Sequence, residues 1–400
     1  MRVAFCTVAT KPKIALARVT ARSFAAFHPE VPFFCLLADK NDGFLTDTSE
    51  PFKIVYLAEL EIARRERLCF RYDAQELTFA CAPLILEHLL ELGYETVCFV
   101  KQESMFFGPC AGVIDFCARH SVTLCASHIE PVRAEDGSTR ELTTLLSGVY
   151  NGGFVSVTNC TEARAFLAWW TERLSEYCYR DVSAGLHFDQ RWLDLVPSYF
   201  PGFGVVREPG FNIGHWCLPD RRIEMNGGVA TADGEPCSLV RFSGYDFDDP
   251  DRVTVYFDRL TVPDLGDAAL FFRSYHAALQ AEGFPRTRNW PFAYGFFSNA
   301  VPVPLIARRL YAGIEDWTAF GDPFDAEPPH SLFRWLNSCG EPSAGAGPRI
   351  SRLWRAVYAS RPDVRATFGE IDGEGATEYL RWAETQGLRE HDISPAFLGG

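Results

Sequence analysis

Residues 3–38 read VAFCTVATKPKIALARVTARSFAAFHPEVPFFCLLA, and this stretch decides the fold. Residues 3–8 form a short β-rich run, residues 14–27 carry apolar side chains at helical spacing, and residues 31–38 are almost continuously apolar. A strand, a helix and a second apolar strand in this order predict a β-α-β unit, in which the two strands run parallel. We therefore expect the amino-terminal part of the chain to contain a parallel sheet.

The same alternation continues toward residue 260. It comprises a helix over 77–92, a strand over 96–100, strands over 121–126 and 153–157, and an aromatic-rich helix over 162–177. The strand that ends at Val100 is followed directly by Lys101-Gln102-Glu103. Because ligands of such sheets bind at the carboxyl ends of the strands, side chains at these positions are the first candidates for a site.

Beyond a stretch that contains Pro and Asp at 262–264, the pattern becomes helical. Apolar residues recur at helical spacing over 268–281, 306–311, 332–336, 350–359 and 377–386. Four hundred residues also exceed the usual size of one hydrophobic core. We predict two domains, an α/β domain over residues 1–260 and a mostly α-helical module over residues 261–400.

Composition excludes several classes of protein. A hydrophobic share of 47% and a charged share of 22% are typical of a globular protein, and a net charge of −14 disfavours nucleic acid and anionic membranes as partners. No Cys-x-x-Cys or His-Glu-x-x-His motif indicates a zinc site. No signal peptide or apolar run of transmembrane length is present, so we expect a cytoplasmic protein whose membrane contact would be peripheral, at the inner face.

Four short segments carry a family resemblance when taken together and in order. They are YNGGF (150–154), FDQRW (188–192), PGFNI (209–213) and RFSGY (241–245). With the strands described above, they resemble bacterial GT-A-like glycosyltransferases, including those found with polysaccharide and surface-glycan clusters. The resemblance implies a GT-A-like, Rossmann-type α/β fold with a mainly parallel sheet. It also implies a hexosyltransferase-type enzyme that moves a sugar from a nucleoside-diphosphate sugar to a hydroxyl of a glycan, a lipid-linked sugar or a small metabolite.

The chain departs from that family where a metal ion is usually held. Members of the family usually end the central strand with Asp-x-Asp, whose carboxylates hold a divalent ion, and a downstream His can complete the coordination. Here the triplet is Lys101-Gln102-Glu103 and the His position is Arg241, while Ala82 stands where relatives often carry Lys. We predict that Lys101 and Arg241 neutralise the donor diphosphate directly, without a metal or another cofactor. Mn²⁺ or Mg²⁺ held at Glu103 is the rival interpretation.

The sugar end of the site is assigned to two pairs of neighbouring residues. The resemblance places Asp189 and Gln190 beside the acceptor and the anomeric carbon, as a general base and as a stabiliser of the oxocarbenium-like sugar. Their other interpretation is a helix N-cap before Arg191. Asn151, with Gly152 behind it, is placed to reach a sugar hydroxyl, and its other interpretation is an ordinary turn Asn.

The remaining candidates are assigned by position. Thr7, Asp39, Arg71 and Tyr72 lie at or near strand ends that face the predicted crevice, so we assign them to the nucleotide, with Tyr72 stacking on the base. His215 is assigned to the acceptor side. Together with Lys101, Glu103, Asn151, Gly152 and Arg241, the nucleotide residues complete the predicted donor site.

Two other functions are alternatives to glycosyl transfer. A non-catalytic protein that binds a nucleotide or a sugar would keep the fold after losing Asp-x-Asp. A dinucleotide-dependent oxidoreductase is disfavoured because no Gly-x-Gly-x-x-Gly follows the first strand. The expected partners are a nucleotide-sugar donor and a hydroxyl acceptor, and a homodimer is left open as the oligomeric state.

Overall fold

The computed structural model describes residues 2–339 and 348–398. The chain divides into two compact units. The first unit combines Met1–Glu61 with Glu76–Pro291, and the second combines Ile62–Gln75 with Phe292–Gly400.

Fourteen strands lie in the described residues. They are β1 (Val3–Ala9), β2 (Phe33–Leu37), β3 (Lys53–Tyr56), β4 (Thr96–Val100), β5 (Ser104–Phe106), β6 (Val122–Ala126), β7 (Tyr150–Thr158), β8 (Arg180–Asp181), β9 (Leu186–His187), β10 (Gly204–Val206), β11 (Ile223–Asn226), β12 (Val229–Ala232), β13 (Glu235–Pro236) and β14 (Leu239–Arg241). Seven of them form the central sheet in the order β10-β6-β7-β4-β1-β2-β3. All neighbours are parallel except β7, which is antiparallel to both β4 and β6. The predicted α/β class with a mainly parallel sheet is confirmed.

The reversed direction of β7 positions the site. Every residue of β2 and β4 is buried, as expected for strands that are covered on both faces. Because β7 is antiparallel to β4, its first residues lie at the edge where β4 ends, and Val100 is paired with Phe154. The ladder continues beyond the strand, since Lys101 N donates to Gly153 O at 3.0 Å. The segments 101–103 and 150–154, far apart in sequence, therefore meet at one edge.

A two-stranded ladder brings a third segment to the same edge. β14 is antiparallel to β5, with Arg241 opposite Ser104. Phe242 N also donates to Glu103 O at 2.8 Å. Arg241 is thereby held beside the loop that follows β4.

Sixteen α-helices lie in the described residues, and eight of them follow Val262. They are α1 (Ile14–Ala25), α2 (Arg65–Arg71), α3 (Ala74–Ala80), α4 (Ala82–Glu91), α5 (Ala111–Cys117), α6 (Gly137–Ser147), α7 (Thr161–Tyr177), α8 (Val196–Tyr199), α9 (Ala269–Ala281), α10 (Phe284–Thr287), α11 (Leu305–Ala312), α12 (Leu332–Asn337), α13 (Arg352–Ser360), α14 (Pro362–Phe368), α15 (Ala376–Trp382) and α16 (Leu388–Glu390). α2 and α11 to α16 lie in the second unit. No helix of the described residues is both long and apolar enough to cross a membrane.

The sequence predicts one helix over 77–92, but the structure has two helices in this region. α3 ends at Ala80 and α4 starts at Ala82, with Pro83 in its first turn. Proline has no N–H, and inside a helix its ring clashes with the carbonyl four residues earlier, whereas it is well accommodated in a first turn. The chain therefore ends one helix and begins another at this proline.

The two units divide the chain at different residues from the predicted domains. Residues 262–291 group with the first unit, because α9 packs into the core behind β14. There, the ring of Phe242 stacks on that of Tyr275 with 3.9 Å between centroids. Independent folding of residues 1–260 and 261–400 stays a prediction.

Candidate functional site

Two buried ion pairs lie at the edge where β4 ends. Lys101 Nζ donates to Asp189 Oδ1 at 2.9 Å, with the two side chains 6% and 0% exposed. Arg241 Nη2 donates to Glu103 Oε1 at 2.5 Å, with the side chains 4% and 16% exposed. The two cations and two carboxylates sum to a net charge of zero. Buried charges are tolerated when they are paired in this way.

Asp189 is the most enclosed member of this group. Burial raises the pKa of its carboxyl, although the charge of Lys101 and the hydrogen bond from it oppose that shift. Its second oxygen, Oδ2, is shielded from solvent and has no hydrogen-bond partner among the described residues. A side chain at Gly152 would place its Cβ only 2.8 Å from this oxygen. Asp189 is therefore closed in by Lys101 on one side and by the backbone of Gly152 on the other.

Asn151 lies inside β7, so the interpretation as a turn residue does not describe it. Its Oδ1 accepts hydrogen bonds from Gly153 N and from Arg241 Nη1, both at 2.9 Å. The guanidinium lies so close to the strand that a Cβ on Gly153 would be 2.0 Å from Arg241 Nη1. Gly153 is thus required by the position of Arg241. The GG pair in the sequence was the available signal, but only Gly152 was assigned to the site.

Gln190 is also engaged with the backbone. Its Oε1 accepts from Gly152 N at 3.0 Å and its Nε2 donates to Ser147 O at 3.1 Å. It precedes the 3₁₀ helix Arg191–Leu195, but its side chain makes no capping hydrogen bond. The amide therefore fixes the start of β7, and a role at the sugar would require it to exchange one of these bonds.

The nucleotide candidates of the first unit lie on β1 and after β2. Thr7 is fully buried, and its Oγ1 has no partner in the described part of the chain. Asp39 accepts from Lys11 N at 3.2 Å, and Lys11 Nζ lies 3.8 Å from Asp39 Oδ1 and 2.5 Å from Asp42 Oδ2. Lys11, a fully buried cation just beyond β1, was missed from the sequence. Its place directly after the first strand was the signal that could have identified it.

Arg71 and Tyr72 belong to the second unit and are buried. Arg308 donates to Tyr72 O at 2.8 Å, so this segment has a structural role within its own unit. The assignment of both residues to the nucleotide stays a prediction.

His215 lies in a cluster of aromatic rings. Its ring centroid is 5.2 Å from that of Trp216, 5.5 Å from Tyr256 and 5.3 Å from Phe257. Burial, together with the charges of Arg241 and a second arginine, lowers the pKa of His215 to about 3. The imidazole is therefore neutral at neutral pH and can bind a hydroxyl as donor or acceptor.

Asn212 is a polar residue that sequence reasoning passed over. It is 3% exposed, adopts a left-handed backbone with a φ of 60°, and has no hydrogen-bond partner for either amide atom among residues 2–339 and 348–398. Its neighbour Ile213 is bridged to Val240, next to Arg241. Buried polar atoms without partners are rare, so Asn212 is a further candidate for ligand contact.

The carboxylates of this edge are paired with cations and are not grouped together as metal ligands are. Asp189 and Glu103 each face a cationic side chain at hydrogen-bonding distance. Across the described ranges, no group of three or more His, Cys, Asp or Glu side chains is arranged to hold a metal. The Arg, Lys and amide side chains at this edge are hydrogen-bond donors, and such groups suit a ligand that carries negative charge or hydroxyl groups.

Comparisons with known proteins give distant similarities. No protein-family profile matches the chain. It is 27% identical over 250 residues to the uncharacterized protein YfnF of Bacillus subtilis (strain 168), covering 61% of this chain and 82% of that protein. Among solved structures, it is similar to the galactosyltransferase LgtC, with a TM-score of 0.41 and 13% identity over 70% of this chain and 96% of that one. It is also similar to the glycosyltransferase GlyE of Streptococcus pneumoniae TIGR4, with a TM-score of 0.41 and 10% identity over 74% of this chain and 66% of that one.

Proposed function

We propose that the chain is a GT-A-like glycosyltransferase that transfers a sugar from a nucleoside-diphosphate sugar to a hydroxyl acceptor without a metal ion. The observation that carries this proposal is the convergence of Lys101, Asp189, Arg241 and Asn151 at the carboxyl-terminal edge of the sheet. This edge is where α/β sheets bind ligands. The segments that converge there are those that carry the family resemblance.

The net charge of the site supports a reaction without a metal ion. A divalent ion held by two carboxylates has a net charge of zero, and so does the group formed by Lys101, Arg241, Asp189 and Glu103. A diphosphate entering this site would meet the same net charge as in a metal enzyme. Arg241 uses Nη1 for Asn151 and Nη2 for Glu103, so its guanidinium has further N–H groups that a phosphate oxygen could bind.

The chemistry then assigns a task to each side chain. Arg241 and Lys101 stabilise the departing diphosphate, and Asn151 Nδ2 donates to a sugar hydroxyl while Oδ1 remains bound to Arg241. The acceptor oxygen bonds to the anomeric carbon as the bond from that carbon to the diphosphate breaks. The acceptor proton passes to Asp189, and Gln190 lies beside the sugar that becomes cationic.

A second candidate function is a non-catalytic protein that binds a nucleotide or a sugar. It is favoured by one observation, that Asp189 is fully buried and already paired with Lys101. Release of nucleoside diphosphate from a donor, even slowly and to water, discriminates the two. Only the enzyme releases it, and Asp189→Asn should slow that release much more than it weakens donor binding.

The donor can be identified by thermal shift with sugars of UDP, GDP, CDP and dTDP. A ligand at about one hundred times its Kd adds about 2.7 kcal/mol to stability, so the correct nucleotide should raise the Tm clearly above the others. Lys101→Ala should abolish that rise, because it removes a cation from the diphosphate. No shift with any of the four classes would contradict a nucleotide-sugar site.

The metal-free reaction is tested in excess chelator, where turnover should persist. Loss of turnover in chelator, restored by Mn²⁺ or Mg²⁺, would instead support a metal at Glu103. As a sharper test, Lys101→Asp combined with Arg241→His rebuilds the family's ligand set. That double variant should become dependent on added Mn²⁺ if both residues face the diphosphate.

The same resemblance supports a role in polysaccharide biosynthesis at the cytoplasmic face of the membrane. The acceptor would be a glycan, a lipid-linked sugar or a small metabolite. Fractionation of cells that express the protein would separate a freely cytoplasmic enzyme from a peripheral one, and sedimentation would determine whether it forms the homodimer that the sequence leaves open.

A further inference from the structure

Asp189 cannot receive a proton from an acceptor in the conformation observed. The side chain is 0% exposed. Its Oδ1 accepts a hydrogen bond from Lys101 Nζ at 2.9 Å, and its Oδ2 lies against Gly152. A general base must come within hydrogen-bond distance of the hydroxyl that it deprotonates. A step that uncovers Asp189 must therefore precede the chemistry.

The backbone next to Asp189 is strained. Phe188 has a φ of 50°, a left-handed conformation that is a genuine outlier for a bulky residue. Strain of this kind persists only where the surroundings hold it, and it is concentrated in functional and switching segments. The segment is flanked by Gly185, also left-handed, and by β9 with only two residues. The pairing of β9 with β8 and the hydrogen bond from Phe188 N to Tyr179 O at 3.0 Å hold this segment, so an opening step would have to break them.

Lys101 holds this segment in place. The ammonium lies 3.5 Å from the ring centroid of Phe79, and Phe79 packs against Phe188 in a T-shaped contact with 5.4 Å between the ring centroids. The same ammonium binds Asp189. One cation therefore fixes the carboxylate directly and fixes the strained residue before it through an aromatic ring.

We propose that Lys101 is a positioning residue that keeps Asp189 closed off in the free protein, and that a diphosphate which draws the ammonium away uncovers Asp189 for the acceptor. This inference rests on the proposed function. Lysine is suited to such an exchange because its charge is compact and its side chain is flexible. Arg241 differs, because its guanidinium has more donors than Glu103 and Asn151 use, so it can add a phosphate without losing either. Donor binding would thus precede acceptor binding.

The exposure of Asp189 can be measured by labelling carboxylates with a carbodiimide and glycine ethyl ester, followed by peptide mass spectrometry. Inorganic pyrophosphate and UDP, GDP, CDP and dTDP serve as anions, and their binding is measured separately by calorimetry. If the open state is about a tenth of the free protein and becomes the main state when an anion binds, labelling of Asp189 should rise by about tenfold. Lys101→Met should raise it by as much without any anion.

A matched variant controls for general loosening of the fold. Lys11→Met removes another fully buried lysine of the same unit, one that pairs with Asp39 and Asp42. It should increase labelling of Asp39 and leave labelling of Asp189 at the level of the unaltered protein. If Lys11→Met exposes Asp189 as well, the effect of Lys101→Met is structural and the proposal is wrong.

Two results separate this inference from the proposed function. An anion that binds by calorimetry without any change at Asp189 contradicts the inference and leaves glycosyl transfer intact. Conversely, labelling that rises with pyrophosphate in a protein that turns over no donor supports the inference while the enzyme proposal fails. Asp189 that stays unlabelled in Lys101→Met contradicts the inference whether or not any anion binds.

Discussion

Two buried arginines, one in each unit, have different kinds of hydrogen-bond partner. Arg308 is 2% exposed and donates to the backbone carbonyls of Phe70, Tyr72 and Tyr294 at 2.6 to 2.8 Å. Arg241 is 4% exposed and donates to two side chains, those of Glu103 and Asn151. Both are charged groups removed from water, yet their partners differ in kind.

The two arginines differ in whether their hydrogen-bond partners can be replaced by a ligand. Backbone carbonyls at the end of α2 have no intrahelical partner, so Arg308 completes hydrogen bonds that the fold needs. The side-chain partners of Arg241 can reorient, and its Nε remains unused among the described residues. We infer that Arg308 serves stability and Arg241 serves a ligand.

Arg308→Ala should have the largest effect on stability. We expect a loss of roughly 3 to 5 kcal/mol, because a buried carbonyl left without a donor costs about 1 to 3 kcal/mol and several are affected here. Urea unfolding measures the loss. Arg389→Ala removes an exposed arginine of the same unit and should change stability by less than about 0.5 kcal/mol. Equal effects of the two substitutions would remove Arg308 from its structural role.

Gly153→Ala should affect both stability and ligand binding. The new methyl group would collide with the guanidinium of Arg241, so we expect a cost of about 1 to 3 kcal/mol and a displaced Arg241 that binds nucleoside diphosphate less tightly. Gly112→Ala is the matched control, because Gly112 lies in α5 with no atom within 4 Å of the added Cβ. That change should stabilise the helix slightly. Unaltered nucleotide affinity in Gly153→Ala would separate Arg241 from the diphosphate.

Arg241→Lys should weaken donor binding or turnover while leaving the fold intact. Lysine keeps the charge but cannot span Glu103 and Asn151 at once, and a hydrogen bond to a charged group is worth about 1.5 to 3 kcal/mol. Calorimetry with the preferred nucleotide and kcat/KM measure the loss. Arg221→Lys alters a similarly buried arginine that is paired with Asp233, and it should leave nucleotide affinity unchanged.

At neutral pH the smallest effect is expected at His215, because the difference in proton binding between the folded and unfolded chain appears only in acid. The pKa of His215 is lowered to about 3, below the value of about 6.5 in an unfolded chain. Between these values the unfolded chain binds a proton that the folded protein does not, so stability falls as pH falls from about 6.5. His215→Gln should make that decline shallower in urea unfolding. His330→Gln, at an exposed histidine, should not.

The sequence predicted the sheet better than the site. Strands such as β4 were predicted correctly because short, continuously apolar runs are typical of strands buried on both faces of a sheet. The edge that carries Lys101 and Arg241 followed from the resemblance. The ion pair between Lys101 and Asp189 could not be predicted, because the two residues are 88 positions apart and no local pattern encodes such a contact. Asn212 was missed because its burial is decided by tertiary structure, whereas Lys11 was missed although its place directly after β1 was a usable signal.

The ladder between β5 and β14 has a consequence for how the protein is made. Glu103 and Arg241 are 138 residues apart, so on the ribosome the carboxylate emerges long before its counter-ion. Chains fold largely as they appear, and closing so long a loop is entropically costly. A nascent chain that stops before β14 would hold Glu103 without Arg241, and we expect the edge of its sheet to stay open to solvent. The site is thus completed only after β14 has been synthesised.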